Sequence, residues 1–163
     1  MKRHTLSVLF ENKYNALPRI TGLFSGKGYN IDSMSFGIGE EPGQTRMTIT
    51  SVGDKNIIEQ IAKQLHKLVD VTKVIDLTEQ PFVERELALI KVNAPQSNRS
   101  EIMQLVNIFR AKIIDISPKS VTVELTGKRE KVDAALGMLE EFGIIEVART
   151  GGVALKREYQ SKM

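Results

Sequence analysis

Residues 5–31, TLSVLFENKYNALPRITGLFSGKGYNI, hold the pattern that decides the fold of this chain. Apolar and polar residues alternate at its start, which is typical of a half-buried strand. Residues 12–15 are turn formers, and Asn15 is placed to cap a helix that has Pro18 near its start. Gly28 would end that helix. The stretch therefore predicts a strand, a loop, a helix and the beginning of a second strand.

The next fifty residues complete one structural unit. Two further strands are predicted over residues 29–39 and 45–52, and Asp54 is placed to cap a second helix. A fourth strand is predicted over residues 70–78. The order β-α-β-β-α-β within about 75 residues is that of the ferredoxin-like fold, with two helices on one face of an antiparallel sheet. In the first strand, one face would hold Leu6, Val8 and Phe10, and the other Thr5, Ser7, Leu9 and Glu11.

The pattern restarts after Gln80-Pro81-Phe82. Strands are predicted over residues 86–93, 111–117, 121–126 and 144–149, with helices over 98–110 and 128–142. Asn98 and Glu101 form a predicted capping pair for the first of these helices. The fold class is thus α+β, with two ferredoxin-like β-α-β-β-α-β domains in tandem. Their predicted bounds are 1–79 and 80–163, and the second includes a basic, mobile tail from residue 150 onward.

Composition narrows the range of functions. The chain has 163 residues, a net charge of +3 and no Cys, which excludes disulfides, thiolate metal sites and Cys nucleophiles. Its two His residues are far apart in sequence, so a zinc site is not expected. No apolar run is long enough for a membrane span. The net charge lies in residues 149–163, so no nucleic-acid-binding face is indicated. We expect a cytoplasmic protein.

No group of residues predicts catalysis. The glycine-rich stretch at residues 22–28 has one residue too few for a phosphate-binding loop and lacks Ser or Thr after its Lys. It also ends a helix, whereas phosphate-binding loops precede one. We therefore predict that this chain alone is not an enzyme. A four-stranded sheet with helices on one face also leaves the other face to cover, which favours an oligomer or a partner protein.

The first loop is the best candidate for a binding site. A helix N-terminus offers free backbone N–H groups and a partial positive charge, which suit a small carboxylate. Asn12 and Asn15 add donors and acceptors, and Asn30 begins the second strand. Leu17 or Ile31 could supply an apolar wall. An amino-acid effector would use such groups, although the three Asn residues could equally be turn formers only.

Several segments resemble one known family, the regulatory small subunits of acetolactate (acetohydroxyacid) synthase. The individual motif ENxxxAL at residues 11–17 is shared by many ACT domains, whereas its combination with GYNI, KLVDV and FRAKIIDI is highly specific. The similarity covers nearly the whole chain, through SVLFENKYNALPRITGLFSGKGYNIDSMSFG (7–37), RMTITSVGD (46–54), QIAKQLHKLVDVTKV (60–74), VERELALIKV (83–92), IFRAKIIDISPKSVTVELTG (108–127) and EVARTGGVALKR (146–157).

This resemblance implies an N-terminal ACT domain followed by a C-terminal ferredoxin-like domain. It implies a homodimer that binds a branched-chain amino acid, typically valine, between its ACT domains. Such a subunit stimulates a separate catalytic large subunit and confers allosteric feedback inhibition in branched-chain amino acid biosynthesis. The catalytic partner uses thiamine diphosphate, Mg²⁺ and usually FAD, and none of these cofactors is expected in this chain.

The resemblance also assigns the effector site. Asn12, Asn15, Ala16 and Leu17 would come from one protomer, and Asn30 with Ile31 from its neighbour. ACT domains usually have Gly at the position of Asn15. Because Asn can adopt left-handed backbone, we expect the loop to keep its course, with a side chain that could crowd the effector or hydrogen-bond to it.

Two alternative functions stay open at this point. A free-standing ACT-type sensor would act on some other enzyme or regulator. An RNA-binding module would share the strand order, but it needs aromatic residues on its central strands to stack bases. The predicted third strand, residues 45–52, has no aromatic residue.

Overall fold

The computed structural model describes residues 2–158, which form two compact units. The first unit contains residues 2–83 and 152–158, and the second contains residues 84–151. The sequence-based division differs in one respect, because it assigned everything after residue 79 to the second domain. Residues 159–163 of the predicted basic tail lie outside the described residues.

The first unit has the predicted β-α-β-β-α-β order. Its sheet runs β2-β3-β1-β4 and every neighbouring pair of strands is antiparallel, which confirms the ferredoxin-like fold. Asp54 caps the second helix as predicted, since its side chain accepts a hydrogen bond from the Ile57 N–H at 3.0 Å. The elements are β1 (Lys2–Glu11), α1 (Ala16–Lys27), β2 (Ile31–Ile38), β3 (Gln44–Gly53), α2 (Lys55–His66) and β4 (Val71–Asp76).

The core of this unit lies between the sheet and its two helices. One face of the central strands supplies the predicted apolar residues, and each helix contributes residues at helical spacing. The buried set is Leu6, Val8, Phe10, Ala16, Ile20, Phe24, Met47, Ile49, Ile58, Ile61 and Leu65.

The opposite face of the two central strands is also buried, whereas an oligomer or a partner protein was expected to cover it. Thr5, Ser7 and Leu9 are all buried, as is Thr48 on the neighbouring strand. A further strand, β9 (Val153–Lys156), packs against this face of β1 and β3. The N–H of its buried Ala154 donates to Thr48 Oγ1 at 3.3 Å. The chain therefore covers part of this face itself.

Strand β9 lies where a mobile tail was expected. It pairs with β5 (Phe82–Asn93), whose first two residues belong to the first unit. Just beyond β9, the Arg157 N–H donates to the Pro81 carbonyl at 2.9 Å. A stretch of four residues after two glycines is too short to show the alternation that predicts a strand. Its contacts are all to residues distant in sequence, so the local pattern does not reveal them.

The second unit repeats the fold, with sheet order β6-β7-β5-β8. Its predicted elements are present, although β5 begins earlier than expected and the last helix ends in a 3₁₀ turn before Gly143. The further elements are α3 (Arg99–Ile108), β6 (Lys112–Ile116), β7 (Ser120–Gly127), α4 (Arg129–Leu139), the 3₁₀ turn Glu140–Phe142 and β8 (Ile144–Arg149). Its core combines Ala88, Ile90, Val92, Ile102, Val106, Val121, Val123, Leu125, Val132, Ala135 and Leu139.

The predicted capping pair of α3 is wrong. Asn98 has right-handed backbone, with φ −106° and ψ −6°, and its side chain makes no capping hydrogen bond. A capping side chain reaches the first turn from extended backbone, which Asn98 does not have. The start of α3 is held instead by Arg99, whose guanidinium donates to the carbonyls of Ala94 at 3.0 Å and Ser117 at 2.5 Å.

An ion cluster joins β5, β8 and α4 in this unit. The Arg149 guanidinium makes a two-point contact with the buried Glu86 carboxylate, at 2.5 and 3.1 Å, and its third nitrogen lies 2.8 Å from Asp133. The hydrogen bond to Glu86 raises the pKa of Arg149 despite the opposing effect of burial. Burial raises the pKa of Asp133, but the hydrogen bond and charge of Arg149, with Arg129, outweigh it and leave that pKa lowered.

Candidate functional site

The loop of residues 12–15 joins β1 to α1 and is fastened to neighbouring loops at its first residues. The Glu11 N–H donates to the Asp70 carbonyl at 2.8 Å, and the Asn12 N–H donates to the Gly43 carbonyl at 2.7 Å. The Ala16 N–H then donates to the Lys13 carbonyl at 3.0 Å, which closes a turn. These bonds define the course of the loop without using the side chains of the predicted site.

Asn15 has the left-handed backbone expected at a position where related domains have Gly. Its φ is 70° and its ψ is 4°, and it is one of two non-glycine residues with positive φ among residues 2–158. Asn tolerates this region better than most residues because its short polar side chain can hydrogen-bond locally. The side chain of Asn15 makes no capping hydrogen bond, so the predicted cap is wrong. Left-handed backbone explains this, because a capping residue normally has extended backbone.

Three backbone donors at this helix start are unused. Among residues 2–158, the N–H groups of Tyr14, Asn15 and Leu17 have no acceptor, and Pro18 has no N–H. The Arg19 N–H makes the first helical bond, to the Asn15 carbonyl at 3.2 Å. The free donors add to the partial positive charge of the helix end, so this loop can receive a small anion.

The side chains around these donors divide into polar and apolar groups. Asn12 and Asn15 are exposed, whereas Ala16 is buried in the core and Leu17 is half-buried against it. The loop therefore presents amide groups to solvent above an apolar base. This combination suits a ligand that carries both charges and an aliphatic side chain.

Asn30 and Ile31 lie at the other end of the sheet. Ile31 pairs with Ser51 of β3, whereas Glu11, at the end that carries the loop, pairs with Gln44. Gln44 and Ser51 are seven residues apart on one strand, so the two ends are separated by about 23 Å. The six predicted site residues thus form two groups that do not meet within one chain.

The carbonyl of Asn30 is already engaged. It accepts hydrogen bonds from Ser51 Oγ at 2.6 Å and from the Val52 N–H at 3.3 Å. These bonds hold the backbone of Asn30 in place just before β2 begins, while its amide side chain stays exposed. A binding group held in this way loses little conformational entropy when it contacts a ligand.

Two ion pairs stand beside the loop. Lys13 Nζ lies 2.6 Å from Glu11 Oε2, and the hydrogen bond that Lys13 donates to this carboxylate raises the pKa of Lys13. Arg19 Nη1 lies 3.1 Å from Oδ2 of the buried Asp70. Sequence reasoning did not single out Arg19 and Asp70, because they are 51 residues apart; Asp70 lies in the KLVDV segment.

Two classes of site find no support in the described residues. No group of three His, Asp or Glu side chains between residues 2 and 158 could hold a metal ion. Strand β3 has no aromatic residue, and Thr48 and Thr50 on its second face are buried, so it offers no base-stacking surface. In addition, no helix within this range is long and apolar enough to cross a membrane.

Two family models match the chain. The model described as an AHAS small subunit-like ACT domain matches residues 6–73, and the model described as the small subunit of acetolactate synthase matches residues 85–158. Together they span most of both units. The first match contains the whole loop of residues 12–15 and the start of β2.

Relatives with the same description come from distant organisms. The chain is 52% identical over 155 residues to a probable acetolactate synthase small subunit of Methanothermobacter thermautotrophicus, which covers 94% of this chain and 92% of that protein. It is 48% identical to the acetolactate synthase small subunit of Aquifex aeolicus, over 99% of this chain and 85% of the relative. It is 49% identical to the acetolactate synthase small subunit of Haemophilus influenzae, over 95% of this chain and 96% of the relative.

One solved structure is similar over the whole chain. The crystal structure of the acetolactate synthase small subunit from Thermotoga maritima superposes with a TM-score of 0.90. It is 42% identical in sequence, and the alignment covers 98% of this chain and 100% of that one.

Proposed function

The chain belongs to the family of acetolactate synthase small subunits, and we propose that it binds valine or a related branched-chain amino acid to regulate a catalytic large subunit. The observation that carries this proposal is the loop of residues 12–15. Its unused N–H groups lie at a helix start beside exposed amides and an apolar base. The regulatory role of the family and the chemistry of the loop point to the same class of effector.

We propose a specific role for each predicted site residue. The effector carboxylate would accept hydrogen bonds from the free N–H groups of Asn15 and Leu17, supported by the helix dipole. The ammonium group would donate to the amide oxygens of Asn12 and of Asn30 from a second protomer. The branched side chain would pack against Leu17 beside Ala16, with Ile31 of the second protomer opposite.

A homodimer paired along β2 would bring these groups together. Strand β2 is an outer strand of its sheet, and Phe36 and Ile38 near its end are exposed apolar residues. In a two-fold antiparallel pairing of two β2 strands, the Ile31 end of one protomer approaches the Ile38 end of the other. Ile38 pairs with Thr45, next to the residue that faces Glu11, so the loop lies at the same end.

Effector binding across two protomers would stiffen this dimer and shift the catalytic subunit toward a less active state. Such coupling is reciprocal, so the catalytic subunit must change the affinity for the effector by the same factor. The chemistry itself would belong to the catalytic subunit with its thiamine diphosphate, Mg²⁺ and FAD. The cytoplasmic location and the lack of bound cofactors in this chain stay predictions.

Calorimetric titration of the purified chain tests effector binding. We expect saturable heat with valine, and a loss of affinity of about tenfold or more for Asn30→Ala, because a charge-assisted hydrogen bond is removed. Asn98→Ala is the matched control, since Asn98 also precedes a helix and makes no side-chain cap. Absence of heat at millimolar valine would refute the effector assignment.

A second experiment tests the partner. The catalytic large subunit from the same organism should co-purify with this chain, make acetolactate faster in its presence, and lose that gain as valine is added. A chain that binds valine but not the large subunit would instead be a free-standing sensor, and the regulatory proposal would then be wrong.

A further inference from the structure

We propose that Tyr14, Arg19 and Val69 form the surface through which this chain docks on the acetolactate synthase catalytic large subunit. We call these three residues the loop-end surface. The inference rests on the proposed function, because it assigns a place on the chain to the partner that regulation requires.

Two apolar side chains of this surface are almost fully exposed. Tyr14 is 93% accessible and Val69 is 84% accessible. No described part of the first unit therefore covers them. Exposed aromatic and aliphatic groups beside an Arg have the composition of the central residues of protein interfaces.

The two loops that carry these side chains are joined by hydrogen bonds. Glu11, which precedes the loop of Tyr14, donates its N–H to the carbonyl of Asp70, which follows Val69. Arg19, in the second turn of α1, is bonded to the carboxylate of the same Asp70. Asp70 thus links the three segments that carry Tyr14, Arg19 and Val69 within the first unit.

Arg19 is held in a position that leaves donors free. Only its Nη1 bonds to Asp70, while its side chain stays more than half exposed and that of Asp70 is buried. Among the described residues, no acceptor contacts its other nitrogens. An Arg anchored on a buried carboxylate is pre-organised for a second one. The expected partner surface is therefore an apolar recess with a carboxylate at its edge.

The position in the sheet argues against a second copy of this chain as the occupant. Val69 leads into β4, which is the edge strand opposite β2 in the order β2-β3-β1-β4. Three strand spacings, about 14 Å, separate these edges. A two-fold pairing along β2 is closed and leaves Val69 beside β4 free. The catalytic large subunit, which a small subunit of this family implies, is therefore the expected occupant of that side.

The loop-end surface shares its loop with the proposed effector site. Tyr14 directly precedes Asn15, whose left-handed backbone and free N–H belong to the site. An effector that binds this N–H therefore acts on the backbone that carries the Tyr14 ring. This continuity gives a physical route for the coupling between effector and catalytic subunit.

The test measures the affinity of the full chain for the catalytic large subunit, together with calorimetric valine binding. We expect Tyr14→Ala and Val69→Ser each to weaken the subunit affinity by about tenfold or more. Affinity for valine should stay within about threefold of the unsubstituted chain for Val69→Ser, which lies outside the effector loop. Ile108→Ser is the control, because Ile108 is 72% exposed in the second unit.

Four outcomes would overturn the proposal. Both variants could bind the catalytic subunit as the unsubstituted chain does, or Ile108→Ser could be the variant that loses binding. A shift of Tyr14→Ala and Val69→Ser to monomers in size-exclusion chromatography would show that the surface joins two copies instead. If the unsubstituted chain itself fails to bind the catalytic subunit, the proposed function fails and this inference with it.

Discussion

The two units have one fold but differ where the first strand leads into the first helix. In the first unit, Asn15 is left-handed and three N–H groups around it have no acceptor in the described chain. In the second unit, Asn98 is right-handed and its N–H donates to the Pro95 carbonyl, while the Arg99 guanidinium donates to two carbonyls. The N–H groups of Arg99, Ser100 and Glu101 also have no acceptor in the described chain, so the two helix starts do not differ in their number of free donors. They differ in the backbone of the loop and in the Arg99 side chain, so the candidate site depends on the loop and not on the fold.

Buried carboxylates show the same contrast. Asp70 is 7% exposed and its partner Arg19 is 53% exposed, with one nitrogen engaged. Glu86 is 5% exposed and its partner Arg149 is 27% exposed, with all three nitrogens engaged by Glu86 and Asp133. The cluster around Glu86 satisfies its own charged groups, whereas the pair of Arg19 and Asp70 leaves guanidinium nitrogens for a ligand or a partner.

The largest expected effect is the loss of the closed cluster in the second unit. Arg149→Ala would leave the Glu86 carboxylate buried without its partner, which costs about 3–5 kcal/mol. Hydrogen exchange of the β5 and β8 amides should accelerate accordingly, because it reports the local free energy of opening. Lys91→Ala is the control, since Lys91 and Glu146 form an exposed pair worth less than about 1 kcal/mol. Equal acceleration of exchange in the two variants would show that the cluster stabilises the unit no more than an exposed ion pair does.

A smaller effect is expected at the paired asparagines. Asn15→Ala should destabilise the first unit by about 1 kcal/mol, because Ala does not tolerate left-handed backbone, while Asn15→Gly should leave stability unchanged or higher. Asn98→Gly should lower stability by a fraction of that amount, since its backbone is right-handed. Thermal unfolding of the three variants measures the order of their stabilities. An Asn15→Gly variant less stable than Asn15→Ala would contradict the backbone argument.

The smallest effect concerns pH. The pKa of Asp133 is lower in the folded chain than its ordinary value of 3.8, so its pairing stabilises the second unit above that value. This contribution is lost as the pH falls through the lowered pKa of the folded state. Because the Asp133 side chain is about half exposed, solvent screens the pair and the gain is small. Asp133→Asn should flatten the stability profile of the unit below about pH 4; an unchanged profile would exclude the pair as its cause.

Local patterns were sufficient to predict the element order. Alternation and helical spacing are properties of neighbouring residues, as is the cap formed by Asp54, whose bond spans three residues. Asn15 and Asn98 were mispredicted as caps because the same residue type suits a cap, a turn and left-handed backbone, and the surrounding chain selects among them. For Asn15, the resemblance to ACT domains gave the correct backbone.

The features that the sequence did not predict depend on contacts between residues that are distant along the chain. The pairing of Arg19 with Asp70 and the seating of Ala154 against Thr48 join residues 51 and 106 positions apart. No local pattern encodes such pairs. Likewise, the division of the predicted site between two ends of the sheet follows from strand register, which the sequence leaves open until the sheet is known.

Strand β9 makes the order of synthesis matter for the first unit. A ribosome releases residues 2–83 well before Ala154, so the face that holds Thr48 stays incomplete until the whole second unit has emerged. Contacts of such long sequence separation also form late in refolding, because the intervening loop must close first. The proposed effector-binding half of the chain is therefore the first to be made and the last to be finished.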